Sequence, residues 1–181
     1  MRKGVPMLLN LSEVFKEQGK VEQFCVPVEM ESAKVAGTEY SIVEKEDAKW
    51  ILTNIEPGRA KIEGKVKLVF NAPCDRCLSN VKVELILSPE RYVVPPEALN
   101  PEDEEVDDLS FMEGYYLNTE TLLYNEIMEN WPAKILCRED CKGLCLVCGR
   151  NLNEGECGCD RFVPDPRLAG IQDLFKACKE V

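Results

Sequence analysis

The chain has 181 residues, 45% hydrophobic and 30% charged, enough for one good core or a core with a small metal-held lobe, and too apolar for a disordered chain. It contains no histidine, which excludes every imidazole-ligated metal site and every mechanism with a histidine base. The formal net charge of −11 is concentrated in residues 82–130, with 13 acidic against 2 basic side chains, so a globally basic field for nucleic acid is absent.

No run approaches eighteen apolar residues, and nothing reads as crossing a membrane. The start, M-R-K-G-V-P-M-L-L-N-L, is too short and broken in its apolar part for a signal peptide, and a cytoplasmic protein is expected. There cysteines stay reduced, so grouped cysteines point to metal or redox chemistry rather than disulfides.

Residues 8–11 read as a first strand. Ser12 is placed to cap a short helix over 13–18, ended by Gly19. Residues 23–29 alternate, with Phe24, Val26 and Val28 on one side and Cys25, a plain thiol, on the other. Residues 40–43 and 50–55 are the next strands, with a turn at 46–49. Glu56-Pro57-Gly58 is a turn. Residues 61–70 then alternate cleanly: Ile62, Val66, Leu68 and Phe70 point one way, Lys61, Glu63, Lys65 and Lys67 the other. Val81, Val83, Leu85 and Leu87 mark a further half-buried strand. The pattern predicts an antiparallel meander.

Pro73-Cys74-Asp75-Arg76-Cys77 falls between those last two strands, at a hairpin tip. A thioredoxin-type redox pair needs a strand before it and a helix after it, because the helix N-terminus lowers the thiol pKa. Here a strand follows, which favours a metal knuckle. Residues 95–108, P-P-E-A-L-N-P-E-D-E-E-V-D-D, read as a solvated acidic loop that folding does not need; its functional alternative is a lure for a basic ribosomal protein or a mimic of RNA. Asn118 or Thr119 caps a helix over 120–131, stopped by Pro132, with Leu122, Leu123, Ile127 and Trp131 near one face. Asp165 caps a last helix with Pro166 at its first position, and Cys178 near its end is a bystander.

Between those helices lies C-R-E-D-C-K-G-L-C-L-V-C-G-R-N-L-N-E-G-E-C-G-C, with cysteines at Cys137, Cys141, Cys145, Cys148, Cys157 and Cys159. With Cys74 and Cys77 they make eight, or two sets of four. A C-x-x-C turn places two thiolates on one tetrahedral Zn2+, and Gly149 follows the second knuckle where positive φ is wanted. One division gives Cys145, Cys148, Cys157 and Cys159 to a local site and Cys74, Cys77, Cys137 and Cys141 to a site bridging distant segments. All eight would be consumed as ligands, leaving no open position for water, and such closed sites are structural. The C-x3-C-x2-C spacing at Cys141, Cys145 and Cys148 also matches a radical iron–sulfur enzyme, but the chain lacks the repeated βα units that such a barrel needs. No phosphate loop and no G-x-S-x-G occurs. Basic groups that a nucleic acid could use are Lys61, Lys65 and Lys67 on one strand face, Arg76 at the knuckle tip, and Lys142 and Arg150 beside the second knuckle.

The order of an N-L-S-E-like start, C-D-R-C-L, an acidic loop, L-x-x-x-E-I running to W-P, C-x3-C-K-G-L-C-x2-C-G-x-N-L-N-x3-C-x-C and D-P-R-L-A resembles the YceD-like family, the large ribosomal RNA subunit accumulation proteins, in its cysteine-rich branch. The resemblance implies a role in accumulation or processing of the large-subunit rRNA precursor, without known enzymatic activity. It also implies that members outside this branch keep the first knuckle and a later pair corresponding to Cys137 and Cys141. The expectation is an α+β protein. Residues 1–131 form an antiparallel sheet or partly open barrel that includes the Cys74/Cys77 knuckle, and residues 132–181 form a cysteine-rich segment and helix packed on it. It is expected to hold two structural Zn2+ ions and to have the rRNA precursor or a ribosomal protein as partner, with no membrane and no small-molecule substrate. The rival readings are a thiol oxidoreductase using Cys74 and Cys77, and an interaction module acting through the acidic loop.

Overall fold

The structure, a computed structural model, describes residues 8–98 and 109–160. The chain divides into two compact units, one of residues 1–73 with 80–135 and one of residues 74–79 with 136–181. The elements in chain order are β1 (Leu8–Asn10), α1 (Ser12–Lys16), β2 (Val21–Val26), β3 (Ser32–Val35), β4 (Thr38–Lys45), β5 (Ala48–Glu56), β6 (Arg59–Pro73), β7 (Asn80–Leu87), β8 (Glu90–Val93), β9 (Met112–Glu113), β10 (Tyr116–Asn118) and α2 (Thr119–Asn130). The amino-terminal residues 1–7, residues 99–108 of the acidic loop, the last helix and Cys178 lie outside the described residues.

The first unit is built around β6. Its 15 residues extend about 50 Å at roughly 3.3 Å each, long enough to serve two partners on each edge. On one edge β5 pairs with its first half (Lys49 opposite Lys65, Glu56 opposite Arg59) and β4 with its second (Ser41 opposite Asn71, Lys45 opposite Leu68). On the other edge β8 pairs with Ala60–Glu63 and β7 with Val66–Pro73. All these ladders are antiparallel. β4 and β5 are thus one interrupted strand, bent at Glu46-Asp47, and β7 and β8 another, bent at Ser88-Pro89. This corrects the expected turn at 46–49: the chain bends there and continues along β6. The meander is real at the level of these long strands. The period-2 pattern reports which face a residue takes, and it carries no signal for whether a polar break is a reversal or a bend. Beyond them β2 pairs with β5 and β3 with β4, and the path ends at β2 and β3. The sheet is open, not a closed barrel, and the α+β expectation holds.

Trp50, Leu52, Ile62, Leu68 and Phe70 are fully buried on the inner face, with Phe111, Leu117, Leu122 and Ile127 from the later segments. β1, β10 and β9 make a separate three-stranded sheet. In α1 the expected cap is displaced by one residue. Leu11 holds the cap position, Ser12 is already helical, and Asn10 Oδ1 accepts the Ser12 N–H at 2.9 Å. In α2 the expected cap is found: Asn118 Oδ1 accepts from the Thr121 N–H at 3.1 Å. Trp131 closes that helix against Phe70 and Tyr40. Glu126 is the one charged side chain buried among the described residues. Burial raises its pKa, opposed by Arg91 and reinforced by Glu129, and the ion pair to Arg91 at 2.6 Å gives it a structural role. Among the described residues no helix is long and apolar enough to cross a membrane.

Candidate metal centres

The second unit gathers the eight thiols into two quartets. Cys74, Cys77, Cys137 and Cys141 form one, Cys145, Cys148, Cys157 and Cys159 the other, and within each the sulfurs lie within 4.8 Å of one another. This is the division set out above as one way of sharing the eight. Four sulfurs at about 2.3 Å from a tetrahedral Zn2+ are about 3.8 Å apart. Cys74 Sγ is 3.9 Å from Cys141 Sγ and Cys77 Sγ 3.6 Å from Cys137 Sγ, so these two pairs already have the spacing of a tetrahedral ion's ligands. The donor set of four soft sulfurs suits Zn2+ among common divalent ions.

The two knuckles are built alike. In the first, the Leu78 N–H donates to Cys74 O at 2.9 Å; in the second, the Gly149 N–H donates to Cys145 O at 2.8 Å. Leu78 and Gly149 have φ of 59° and 72°. Glycine takes that conformation freely, whereas leucine does so at a cost of about 1–2 kcal/mol. The turns aim backbone N–H groups at sulfur. Burial opposes ionisation of Cys74, yet the N–H groups of Arg76, Cys137 and Cys77 bring its pKa down to about 6. The N–H groups of Cys148 and Val147 do the same for Cys145, again to about 6. Desolvation and the neighbouring thiols push Cys137 up to about 12, and Cys148 and Cys157 do so for Cys159. Each quartet therefore contains at least one thiol made more acidic and one that resists losing its proton.

The linker between the quartets is held from both sides. The Leu144 N–H donates to Arg76 O, the Leu152 N–H to Gly143 O, and the Cys145 N–H to Arg150 O. Gly143 has φ of 76°, and a Cβ there would stand 3.0 Å from Arg76 O, so the position needs glycine on both counts. Arg76 Nη1 donates to Cys141 O at 2.9 Å and to Glu139 O at 3.3 Å. Asn153 was not singled out by the sequence. Its Nδ2 donates to Cys141 Sγ at 3.3 Å, and burial of that thiol is outweighed by this and other bonds, which lower its pKa.

Four thiolates are required to close each site, so metal uptake must expel at least the Cys137 and Cys159 protons. Metal binds the deprotonated form, so affinity rises with pH. We expect about tenfold tighter binding per pH unit for each proton released, and a steeper loss below pH 6 as Cys74 and Cys145 are protonated too. Competition against a chelator at several pH values checks this; an affinity flat with pH contradicts it.

The basic residues are divided between the units. Lys61, Lys65 and Lys67 belong to the first. Lys61 bridges Glu63 at 3.0 Å and Glu90 at 3.1 Å, and Lys67 meets Glu84 at 2.9 Å. Lys65 stands directly opposite Lys49, and neither has a salt bridge among the described residues. Both line a hollow of about 270 Å³ with Glu46, Asp47, Lys67 and Ile86, at the bend where both neighbours of β6 are interrupted. Arg76, Lys142 and Arg150 belong to the second unit; Lys142 and Arg150 are exposed.

The fold and its quartets define a sheet protein carrying two four-thiol centres able to hold metal ions. Residues 62–175, well over half of the chain, match the family described as large ribosomal RNA subunit accumulation protein YceD, and the chain belongs to that family. Uncharacterised proteins of Mycobacterium bovis and Mycobacterium tuberculosis are each 26% identical to it over 114 residues, 63% of this chain and 55% of theirs. The chain thus spans about half the length of the curated relatives it matches. No solved structure matches it.

Proposed function

We propose that this protein is a non-enzymatic, cytoplasmic factor in accumulation of large-subunit rRNA and in ribosome assembly, with two structural zinc ions. The observations that support the reading are the family match and two quartets of thiols so gathered that an ion in each would be closed by four sulfurs, with no coordination position left for a substrate. Cys74, Cys77, Cys137 and Cys141 hold one ion and Cys145, Cys148, Cys157 and Cys159 the other. The zinc supplies no chemistry beyond fixing the shape of the second unit.

The partner is the rRNA precursor or a ribosomal protein bound to it. For RNA phosphate the supporting feature is the outer face of β5 and β6. Like charges directly opposite across a ladder are destabilising; neither Lys49 nor Lys65 forms a salt bridge among the described residues, although Glu46 and Asp47 line the same hollow, and a phosphate would relieve the pair. Lys61 and Lys67 flank them with much of their charge already answered. Arg76, Lys142 and Arg150 are further candidates, but the Arg76 guanidinium already serves backbone carbonyls around the first quartet.

The acidity of Cys74 favours the rival oxidoreductase. Against it, Cys145 in the second knuckle is equally acidic for the same reason, and Cys74 is fully buried, closed to a disulfide substrate.

Crosslinking and sequencing of bound RNA tests the function: large-subunit rRNA should dominate, and recovery of no RNA above background would overturn the RNA reading. Lys49→Glu with Lys65→Glu should leave metal content and fold intact and lower rRNA recovery at least tenfold, with a weaker dependence on salt. Undiminished recovery from the folded variant moves the contact elsewhere.

A further inference from the structure

The two quartets are separate in their ligands and joined through one side chain. Asn153 lies between Cys148 and Cys157, on the loop that the second quartet closes, yet its amide serves the first. Nδ2 donates to Cys141 Sγ at 3.3 Å and to Asn151 Oδ1 at 2.8 Å. Oδ1 accepts from the Lys142 N–H at 2.9 Å and from Arg138 Nη2 at 2.7 Å. Arg138 and Lys142 each adjoin a ligand of the first quartet, Cys137 and Cys141. The Asn153 N–H donates to Asn151 Oδ1 at 3.1 Å, which fixes the turn that presents the amide. One asparagine thus holds a ligand sulfur of the first quartet, the backbone beside that ligand, and a side chain next to a second ligand.

We propose that Asn153 is a positioning residue that couples the two centres, so that filling the Cys145/Cys148/Cys157/Cys159 quartet tightens the Cys74/Cys77/Cys137/Cys141 quartet. The inference rests on the reading that both hold metal. A four-thiolate site around a divalent ion carries two excess negative charges, and an N–H aimed at sulfur stabilises that charge. The loop carrying this donor is closed at its two ends by the knuckle at Cys145 and Cys148 and by Cys157. With the second quartet empty the loop is released, and Cys141 loses its donor. Outer-shell partners of this kind typically change metal affinity 10–100-fold. The linkage is reciprocal, so metal at the first quartet favours the second by the same factor.

The test uses the full chain stripped of metal and titrated with cadmium, whose NMR signals resolve the two centres, against a competing chelator. Disabling the second quartet with Cys157→Ser should weaken the first 10–100-fold. In an Asn153→Ala background the first should be weak already, and Cys157→Ser should weaken it little further. Asn153→Asp keeps an acceptor for Lys142 and Arg138 but removes the donor to sulfur; it should weaken the first quartet as alanine does, where a merely structural role would be rescued. A first quartet indifferent to Cys157→Ser, an equal loss in both Asn153 backgrounds, or full rescue by aspartate overturns the coupling alone. A chain that takes up no cadmium overturns the metal reading and the coupling with it.

Discussion

Removing metal is expected to unfold the second unit and leave the first standing. The contrast lies in what each buries. The first unit encloses Trp50, Phe70, Phe111 and many aliphatic side chains. In the described part of the second, the buried apolar side chains are Cys74, Cys77, Cys141, Cys145 and Leu152; apart from the thiols, that is one leucine. One leucine contributes about 1.5–3 kcal/mol, far short of the backbone entropy of ordering this segment at about 1–2 kcal/mol per residue. Metal binding, at about 10–16 kcal/mol per structural zinc, would then be the main source of this unit's folding energy. Elemental analysis should find close to two zinc ions per chain. After chelation, or in Cys145→Ser, the amides of Leu144, Cys145, Gly149 and Leu152 should lose protection from hydrogen exchange while those of β5 and β6 keep theirs. Iron with a visible chromophore, a metal-free native protein, or a second unit that stays protected after chelation would contradict this account.

The second large effect is at Gly64, half-buried on β6 of the first unit. Trp50 is its cross-strand partner, and the indole lies over the bare backbone. A Cβ there would stand 2.6 Å from Trp50 Cζ3 and 2.7 Å from Pro89 Cγ. Trp50 is 1% exposed and cannot swing to solvent, and Pro89 is a rigid ring at the β7–β8 bend whose carbonyl accepts the Gly64 N–H at 2.8 Å. Gly64→Ala should therefore destabilise the protein by about 2–3 kcal/mol, read as a lower denaturation midpoint with unchanged slope. Trp50→Leu should remove most of that penalty in the double variant, because the two residues share one space. A neutral Gly64→Ala would mean that the indole and the proline can yield.

How much of this is legible in the sequence depends on the kind of signal. The alternation through β6 and β7 places Ile62, Val66, Leu68, Phe70, Leu85 and Leu87 inside, as found. The cysteine quartets are legible because short spacings restrict which sulfurs can meet. β8 is not. Its four residues stand between prolines at 89 and 95, and missing it hides Glu90, which leaves Lys61 less free than its strand face suggests. β3 escapes because Ser32-Ala33-Lys34-Val35 holds a single β-branched residue. Asn153 sits in an N-L-N-E loop whose residue types predict a turn and say nothing of a sulfur beyond it. The positive φ at Leu78 is equally silent: C-D-R-C-L carries a leucine where C-L-V-C-G carries the glycine.

The first quartet also has a timetable. Its early pair, Cys74 and Cys77, is synthesised 60 residues before Cys137, and at roughly 5–20 residues per second that is a wait of about 3–12 s. During it the sheet strands β7 and β8 are made, while the hairpin tip can offer an ion only two sulfurs. Closure of the first quartet is therefore a late event in the birth of each molecule, and an ion held by all four of its sulfurs would mark chains that have been translated past Cys141 and folded back on themselves.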